Sequence, residues 1–310
     1  IDILKNFTLY TQKGESYVKI ICHYQQYRAV GKMIKKLQKG TDWRSRSGVI
    51  WHTQGSGKSL TMVFLVRKMR SIADLRDYRI LMVVDRQDLE DQLSETAEHT
   101  GELRYDTKTK KIQNIIENRQ ALVKLETDTA DLNLVMIHKF GENKEYSLES
   151  LIKTGIVPKY ESFPVINASE KILVLIDEAH RSQGGDMGDN LFQAFPNAAR
   201  IGFTGTPLIT PRHKATTCER FGQPVGNFID TYKMNDSVKD NATVDIKYIG
   251  RKSQDSIPNK EDFDGDFERT FANCTQEERL EIQKRYGTMI AYLESKERVL
   301  KNARDMLSHY

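Results

Sequence analysis

Three short stretches of the chain carry residue types at spacings that can do chemistry. The first is Trp51-His52-Thr53-Gln54-Gly55-Ser56-Gly57-Lys58-Ser59. Glycines at 55 and 57 let backbone amides curl around phosphate oxygens, because they reach φ > 0 without a Cβ clash. Lys58 is then placed to neutralise the outer phosphates, and Ser59 to ligand Mg²⁺. The usual pattern G-x-x-x-x-G-K-[ST] begins with glycine, and His52 stands at that position. The second stretch is Val174-Leu175-Ile176-Asp177-Glu178-Ala179-His180, an apolar run ending in two adjacent carboxylates. Asp177 suits a hydrated Mg²⁺, and Glu178 suits a general base that polarises water. The third is Arg200-Ile201-Gly202-Phe203-Thr204-Gly205-Thr206-Pro207. Alone, it reads as an ordinary strand-to-turn segment with a proline stop.

Such groups need a scaffold, and the hydrophobic pattern supplies one. Short apolar runs at 48–51, 79–84, 132–137, 171–176 and 201–203 are continuous rather than alternating. A strand reads this way when helices cover both its faces, as in a parallel sheet. Helical patterns fall between them at about 23–39, 57–73, 87–98, 111–125 and 189–195. The alternation predicts an α/β fold, a doubly wound parallel sheet flanked by helices. Ligands of such sheets bind at the carboxyl ends of the strands, where Lys58, Asp177 and Glu178 fall. We expect a helical lead-in over 1–40, one α/β domain over 41–210, and a tail over 211–310. Within the tail, 243–248 alternates like a half-buried strand, and a helical pattern returns from about 275 to 310.

Composition narrows the classes. The 310 residues are 38% hydrophobic, with 12 Phe and 13 Tyr spread along the chain, which excludes wholesale disorder. No apolar run approaches the 18 residues of a membrane span, and Ile1 to Asn6 does not read as a signal peptide. Cys22, Cys218 and Cys274 lie far apart, which argues against a disulfide framework and suits a reducing, cytoplasmic compartment. A net charge of +4 permits a nucleic-acid partner without arguing for one. Asp262, Asp264 and Asp266 have the spacing of calcium-loop ligands, but Ala272-Asn273 stands where the final Glu belongs, so an acidic loop is expected.

Taken together, the three stretches resemble a superfamily 2 helicase, and residues 48–62 look like the phosphate loop of the motor (R) subunit of type I restriction–modification enzymes. In that family His at the first loop position is usual. Val84-Asp85-Arg86-Gln87 through Leu93 resembles its second motif, along the DNA path. Asp177 to Gln183 and Gly202 to Leu208 resemble its later motifs. His23 to Val30 resembles the adenine-reading segment, with Gln26 as the matching glutamine, and a Gln amide can pair with the N6/N7 edge of adenine.

The resemblance implies a RecA-like motor lobe that binds ATP and Mg²⁺ through Gln26, Thr53, Gln54, Gly55, Ser56, Gly57, Lys58, Ser59 and Leu60. It implies Ser59 and Asp177 as metal ligands, and Lys58, Asp177 and Glu178 as the catalytic set. Asp85, Arg86, Lys139, His180, Thr204, Gly205 and Thr206 are implied in DNA contact and coupling. The implied partners are double-stranded DNA and the specificity and methyltransferase subunits of a restriction–modification complex. Leu134 to Phe140 departs from the family pattern: it keeps Lys139-Phe140 but lacks the paired threonines of many members. No Gln-x-x-Gly-Arg element appears before Tyr310, so the arginine finger is expected from a second lobe. Two other readings stay open, another superfamily 2 translocase without a nuclease and an ATP-switched assembly module.

Overall fold

The computed structural model describes residues 1–13, 16–85, 105–106, 111–112, 115–116, 118, 120–127, 131–141, 163–179, 186–210, 215–245 and 296–309. They fall into two compact units, Ile1–Asp245 and Ile246–Tyr310. In chain order the first unit holds α1 (Asp2–Asn6), β1 (Thr8–Lys13), β2 (Ser16–Ile21), α2 (Tyr24–Lys39), α3 (Trp43–Arg46), β3 (Gly48–His52), α4 (Lys58–Arg70) and β4 (Arg79–Val84). The short strands β5 (Tyr105–Asp106), β6 (Lys111–Ile112) and β7 (Ile115–Ile116) follow, then β8 (Leu132–Met136) and β9 (Ile172–Ile176). Helix α5 (Asp186–Ala194), β10 (Ala199–Thr204), α6 (Thr217–Arg220), β11 (Asp230–Tyr232) and α7 (Met234–Lys239) complete it. In the second unit the described element is α8 (Lys296–His309), with Val299, Leu300, Met306 and Leu307 exposed.

The main sheet has seven strands in the order β11-β3-β10-β9-β4-β8-β7, and every pairing in it is parallel. Every residue of β4, β8, β9 and β10 is buried, which is why their sequences lack alternation. Side chains still point alternately to two cores. Ile50, Met82, Leu175 and Ile201 pack under α2 and α4, while Val49, Val83, Val174 and Ile176 pack toward Phe140, Phe195 and Phe221. Helix α2 buries Gln26, Ala29, Val30, Met33 and Leu37, an i, i+3, i+4 stripe along one face.

The five expected core strands are present, and so are helices at 24–39, 58–70 and 186–194. The expected helix at 87–98 lies outside the described residues. Four expectations change. The lead-in is not purely helical, because Thr8–Lys13 and Ser16–Ile21 form an antiparallel hairpin apart from the main sheet. The described residues of 111–125 are β6, β7 and a 3₁₀ turn at Gln120–Leu125 rather than one helix. Ile115 and Ile116 are β-branched and pair with the exposed edge of β8, which wins over helix propensity. The compact unit runs past the boundary expected at 210 to Asp245, because β11 pairs with β3 inside the main sheet. Residues 243–245 of the expected strand are irregular, and its remainder lies outside the described residues.

Candidate active site

Strands β3 and β9 flank β10, so the three chemical stretches leave the sheet side by side although they are far apart in sequence. From β3 the chain turns through Gly55 at φ 80° and Gly57 at φ 79° into α4. A Cβ on Gly57 would also lie 2.6 Å from the Gln26 amide nitrogen, so this position excludes a side chain twice over. Ser56 closes the turn, its hydroxyl donating to the Thr53 carbonyl at 2.6 Å. Thr61 Oγ1 donates to the Gly57 carbonyl at 3.0 Å and pins the first turn of α4. The amide-rich start of a helix is a natural seat for an anion.

Lys58 opens α4 with its side chain almost wholly buried, and its Nζ lies 3.9 Å from Glu178 Oε1. Asp177 follows β9. Its backbone N–H donates to the Val83 carbonyl, and its Oδ1 accepts from the Glu178 N–H at 2.9 Å. Burial raises the Asp177 carboxyl above the usual range, partly offset by the Glu178 amide and Lys58. A buried carboxylate of this kind fits a divalent cation, whose charge would offset the cost of burial. Mg²⁺ usually takes one or two protein groups besides phosphate and water, so Asp177 with Ser59 on the first turn of α4 is a sufficient set.

Glu178 adopts φ 45°, the left-handed region that non-glycine residues rarely occupy. The surrounding turn over-determines it. Ala179 is fully buried with its N–H on the Phe203 carbonyl, and a Cβ on Gly202 would lie 2.8 Å from the Ala179 Cβ and 2.6 Å from Phe221 Cζ. Backbone held this way recurs at functional sites.

At the end of β10, Thr204 Oγ1 accepts from the Thr206 N–H at 3.1 Å. The Gly205 carbonyl accepts from the Trp51 indole at 3.1 Å, and a Cβ on Gly205 would lie 3.1 Å from the Gln54 nitrogen. The third stretch therefore abuts the phosphate loop backbone. Gln26 reaches the loop from α2, with Nε2 donating to the Gly57 carbonyl at 3.0 Å and Oε1 accepting from the His23 N–H at 2.8 Å. Gln26 is 1% exposed, and its amide has capacity for one further hydrogen bond at each end. Thr53 is buried, Gln54 is exposed, and Leu60 is half-buried beside Gly57.

Asp85 follows β4, the sheet neighbour of β9, and Lys139 follows β8 one strand further out, both on the carboxyl side of the sheet. Between them His138 is held below its usual range by burial and then by Lys139, with Asp85 opposing. Arg86 and His180 lie outside the described residues.

The sequence reading missed Asp230 and Tyr232 on β11. The Tyr232 carbonyl accepts from the Thr53 N–H at 2.8 Å, and Asp230 Oδ2 lies 2.8 Å from His52 Nε2. The available signal was an acid inside the apolar run Phe228-Ile229-Asp230-Thr231-Tyr232.

The chain is similar to known proteins along most of its length. Residues 25–280 match the SWI2/SNF2 ATPase family model. The type I restriction enzyme HindI endonuclease subunit of Haemophilus influenzae is 31% identical across all of this chain and 28% of its own length. The putative type I restriction enzyme MjaVIIIP endonuclease subunit of Methanocaldococcus jannaschii is 30% identical over 82% of this chain and 25% of its own. The chain thus spans about a quarter of the length of these relatives. Among solved structures, a nuclease-deletion mutant of the type ISP restriction-modification enzyme LlaGI, in complex with a DNA substrate mimic, is 15% identical. That likeness covers 86% of this chain and 24% of that one, at a TM-score of 0.45.

Proposed function

The chain belongs to the SWI2/SNF2 ATPase family, and from that premise we propose that it is the first ATP-binding motor lobe of a type I restriction endonuclease R subunit. In the complete subunit, ATP hydrolysis drives translocation along duplex DNA, and a separate nuclease domain makes the cut. The lobe comprises the compact unit of residues 1–245, with β11 extending the sheet beyond β3. Residues 246–310 connect it to a second lobe. Partners are double-stranded DNA and the specificity and methyltransferase subunits, in the cytoplasm. Among the described residues no helix is long and apolar enough to cross a membrane.

The observation that carries this reading is the convergence of Lys58, Asp177 and Glu178 at one sheet edge, with Lys58 Nζ 3.9 Å from Glu178 Oε1. Bound ATP–Mg²⁺ supplies the phosphoryl group to be transferred. Lys58 places positive charge against the phosphate oxygens, and the amides of 55–59 line the anion seat. Ser59 and Asp177 would hold the cation. Glu178 orients a water and accepts its proton at the carboxylate. Gln26 reads the base with its remaining donor and acceptor. Thr204, Gly205 and Thr206, with Gly205 against the loop backbone, transmit its state toward DNA, and Asp85, Arg86, Lys139 and His180 take part in DNA contact and coupling. A trans-acting arginine completes the site from the second lobe, a contribution of about 10³–10⁵ in rate in related phosphoryl-transfer enzymes.

The 310-residue chain is expected to bind ATP–Mg²⁺ while releasing almost no phosphate, with or without DNA. Lys58→Ala should weaken binding at least about tenfold, since it removes a charge-assisted contact. Calorimetry that finds equal affinity in the two proteins would overturn the nucleotide reading. Robust DNA-stimulated turnover by the chain alone would overturn the need for a second lobe.

A further inference from the structure

The phosphate loop begins with a histidine where a glycine is usual, and that side chain has an anchor that the catalytic reading leaves unused. His52 is fully buried at the end of β3. Its Nε2 meets Asp230 Oδ2 at 2.8 Å, and among the described residues nothing partners its Nδ1. Asp230 is therefore the polar anchor of this ring. The carboxylate accepts four side-chain hydrogen bonds, from Arg28 Nε at 2.9 Å, Arg28 Nη2 at 2.8 Å, Lys32 Nζ at 2.6 Å and His52 Nε2 at 2.8 Å. Burial opposes its ionisation, but the bonds from His52, Arg28 and Lys32 outweigh that and hold it far below the usual carboxylate range. An ionised carboxylate only accepts, so the hydrogen of this bond sits on His52 Nε2.

The backbone one residue further on is held by the same short strand. The Thr53 N–H donates to the Tyr232 carbonyl at 2.8 Å, and Tyr232 pairs in register with His52. Strand β11 has one sheet neighbour, β3, and is tied from above by Arg28, whose Nη2 also donates to the Thr231 carbonyl at 2.9 Å. The entry of the phosphate loop is thus fastened by its side chain and by its main chain to an edge strand about 180 positions away in sequence.

We propose that Asp230 is a positioning residue of the nucleotide site, acting through His52 to fix the point from which Thr53 to Gly57 wrap the phosphates. The carboxylate does not touch nucleotide. It fixes the ring of His52, and the ring fixes the loop entry. A histidine at the head of this loop has a use that a glycine lacks: a glycine there would be held by backbone alone, whereas His52 adds a charge-assisted bond to β11. Arg28 and Lys32 keep the carboxylate charged, and they come from α2, the helix that also carries Gln26. The inference rests on the reading of 53–59 as the nucleotide loop.

The test is a double-mutant cycle in the 310-residue chain, read as ATP–Mg²⁺ affinity and stoichiometry by calorimetry. Asp230→Asn is expected to weaken affinity about tenfold at unchanged stoichiometry, the scale of a lost charge-assisted bond. In a His52→Gly background, the same substitution is expected to change affinity less than about twofold, because the ring that transmits it is gone. A purely structural role would instead lower the bound fraction and the melting temperature alike in both backgrounds. Additive effects on affinity would overturn the inference. His52→Gly alone, which leaves the carboxylate with both cations, is expected to weaken binding about tenfold. Wild-type affinity in that variant would overturn the inference even if Asp230→Asn does not fold. Absence of ATP–Mg²⁺ binding by the unmutated chain would overturn the nucleotide reading together with it.

Discussion

The amino ends of the central sheet and the carboxyl ends of β3 and β9 surround their buried charge differently. At the amino ends of the strands, buried arginines donate mainly to main-chain carbonyls and hydroxyls, and Arg46 also meets the Glu170 carboxylate at 3.3 Å. Arg46 donates to the Tyr78 hydroxyl and the Glu170 carbonyl, Arg79 to the Lys124 carbonyl and Thr127, and Arg200 to the carbonyls of Phe192, Phe195 and Pro196. Arg200 also lies between the rings of Trp43 and Phe192 at 4.3 and 4.2 Å. At the carboxyl ends, Lys58 and Glu178 face each other at 3.9 Å, and Asp177 is buried with its carboxyl pushed upward. The first arrangement is a brace. It satisfies the carbonyls left over at the end of α5 and lets the chain re-enter the sheet. The second sets a lysine and a carboxylate at ion-pair range, with Glu178 in left-handed backbone. Charge braced against main-chain carbonyls stabilises the fold, while charge gathered beside the phosphate loop is placed to meet a ligand.

The largest effect that separates the two ends is expected from Glu178→Gln. The amide keeps the shape and hydrogen bonding of the side chain but removes its basicity. In the complete subunit, DNA-stimulated phosphate release should fall by about 10²–10⁴, the usual contribution of a general base, while ATP–Mg²⁺ affinity stays near wild type. Hydrolysis at the wild-type rate would show that the base lies elsewhere. Hydrolysis abolished with DNA cleavage intact would favour nucleotide as an assembly switch.

The opposite end should show the reverse. Burial lowers the Arg200 guanidinium to about 10, so it remains charged at neutral pH, and its Nη2 holds the three carbonyls. Arg200→Met keeps much of the apolar stem but orphans those carbonyls. Urea unfolding should show a loss of about 2–3 kcal/mol, while nucleotide affinity measured well below the melting temperature is unchanged. A tenfold loss of affinity without loss of stability would break the division between brace and site.

How much of this was legible in the sequence follows the same division. Buried parallel strands announce themselves as continuous apolar runs, so β3, β4, β8, β9 and β10 were readable, and the residues at their carboxyl ends were readable with them. Glu178 and Lys58 sit in local patterns whose chemistry depends on near neighbours. Asp230 does not. Strand β11 has three residues, too few for any period, and it exists because β3 offers an unpaired edge. The hairpin at 8–21 was missed for a related reason. Its strands pair with each other, and residues 16–21 are largely exposed, so no core-facing alternation marks them. The arginine brace was equally silent, since a buried arginine and a solvated one look alike until their carbonyl partners are placed.

The smallest effect carries the sharpest sign. The Asp177 carboxyl is raised chiefly by burial, so the nucleotide-free fold bears a cost for its charge. For a carboxylate whose pKa is raised on folding, that cost is present above the folded pKa and vanishes below the unfolded one. Asp177→Asn removes the charge yet keeps an oxygen for the Glu178 N–H. At neutral pH it should therefore raise the melting temperature of the nucleotide-free chain by about 2–4 °C. The advantage should shrink as pH falls through the raised pKa, because wild-type Asp177 then becomes neutral as well. With Mg²⁺ and nucleotide the order should invert, since the cation offsets the carboxylate and has less to hold in the variant. Melting curves with and without ATP–Mg²⁺ at two pH values measure all three trends. A variant less stable than wild type in both states would mean that the carboxylate is satisfied by its neighbours, and that this end of the sheet is a brace like the other.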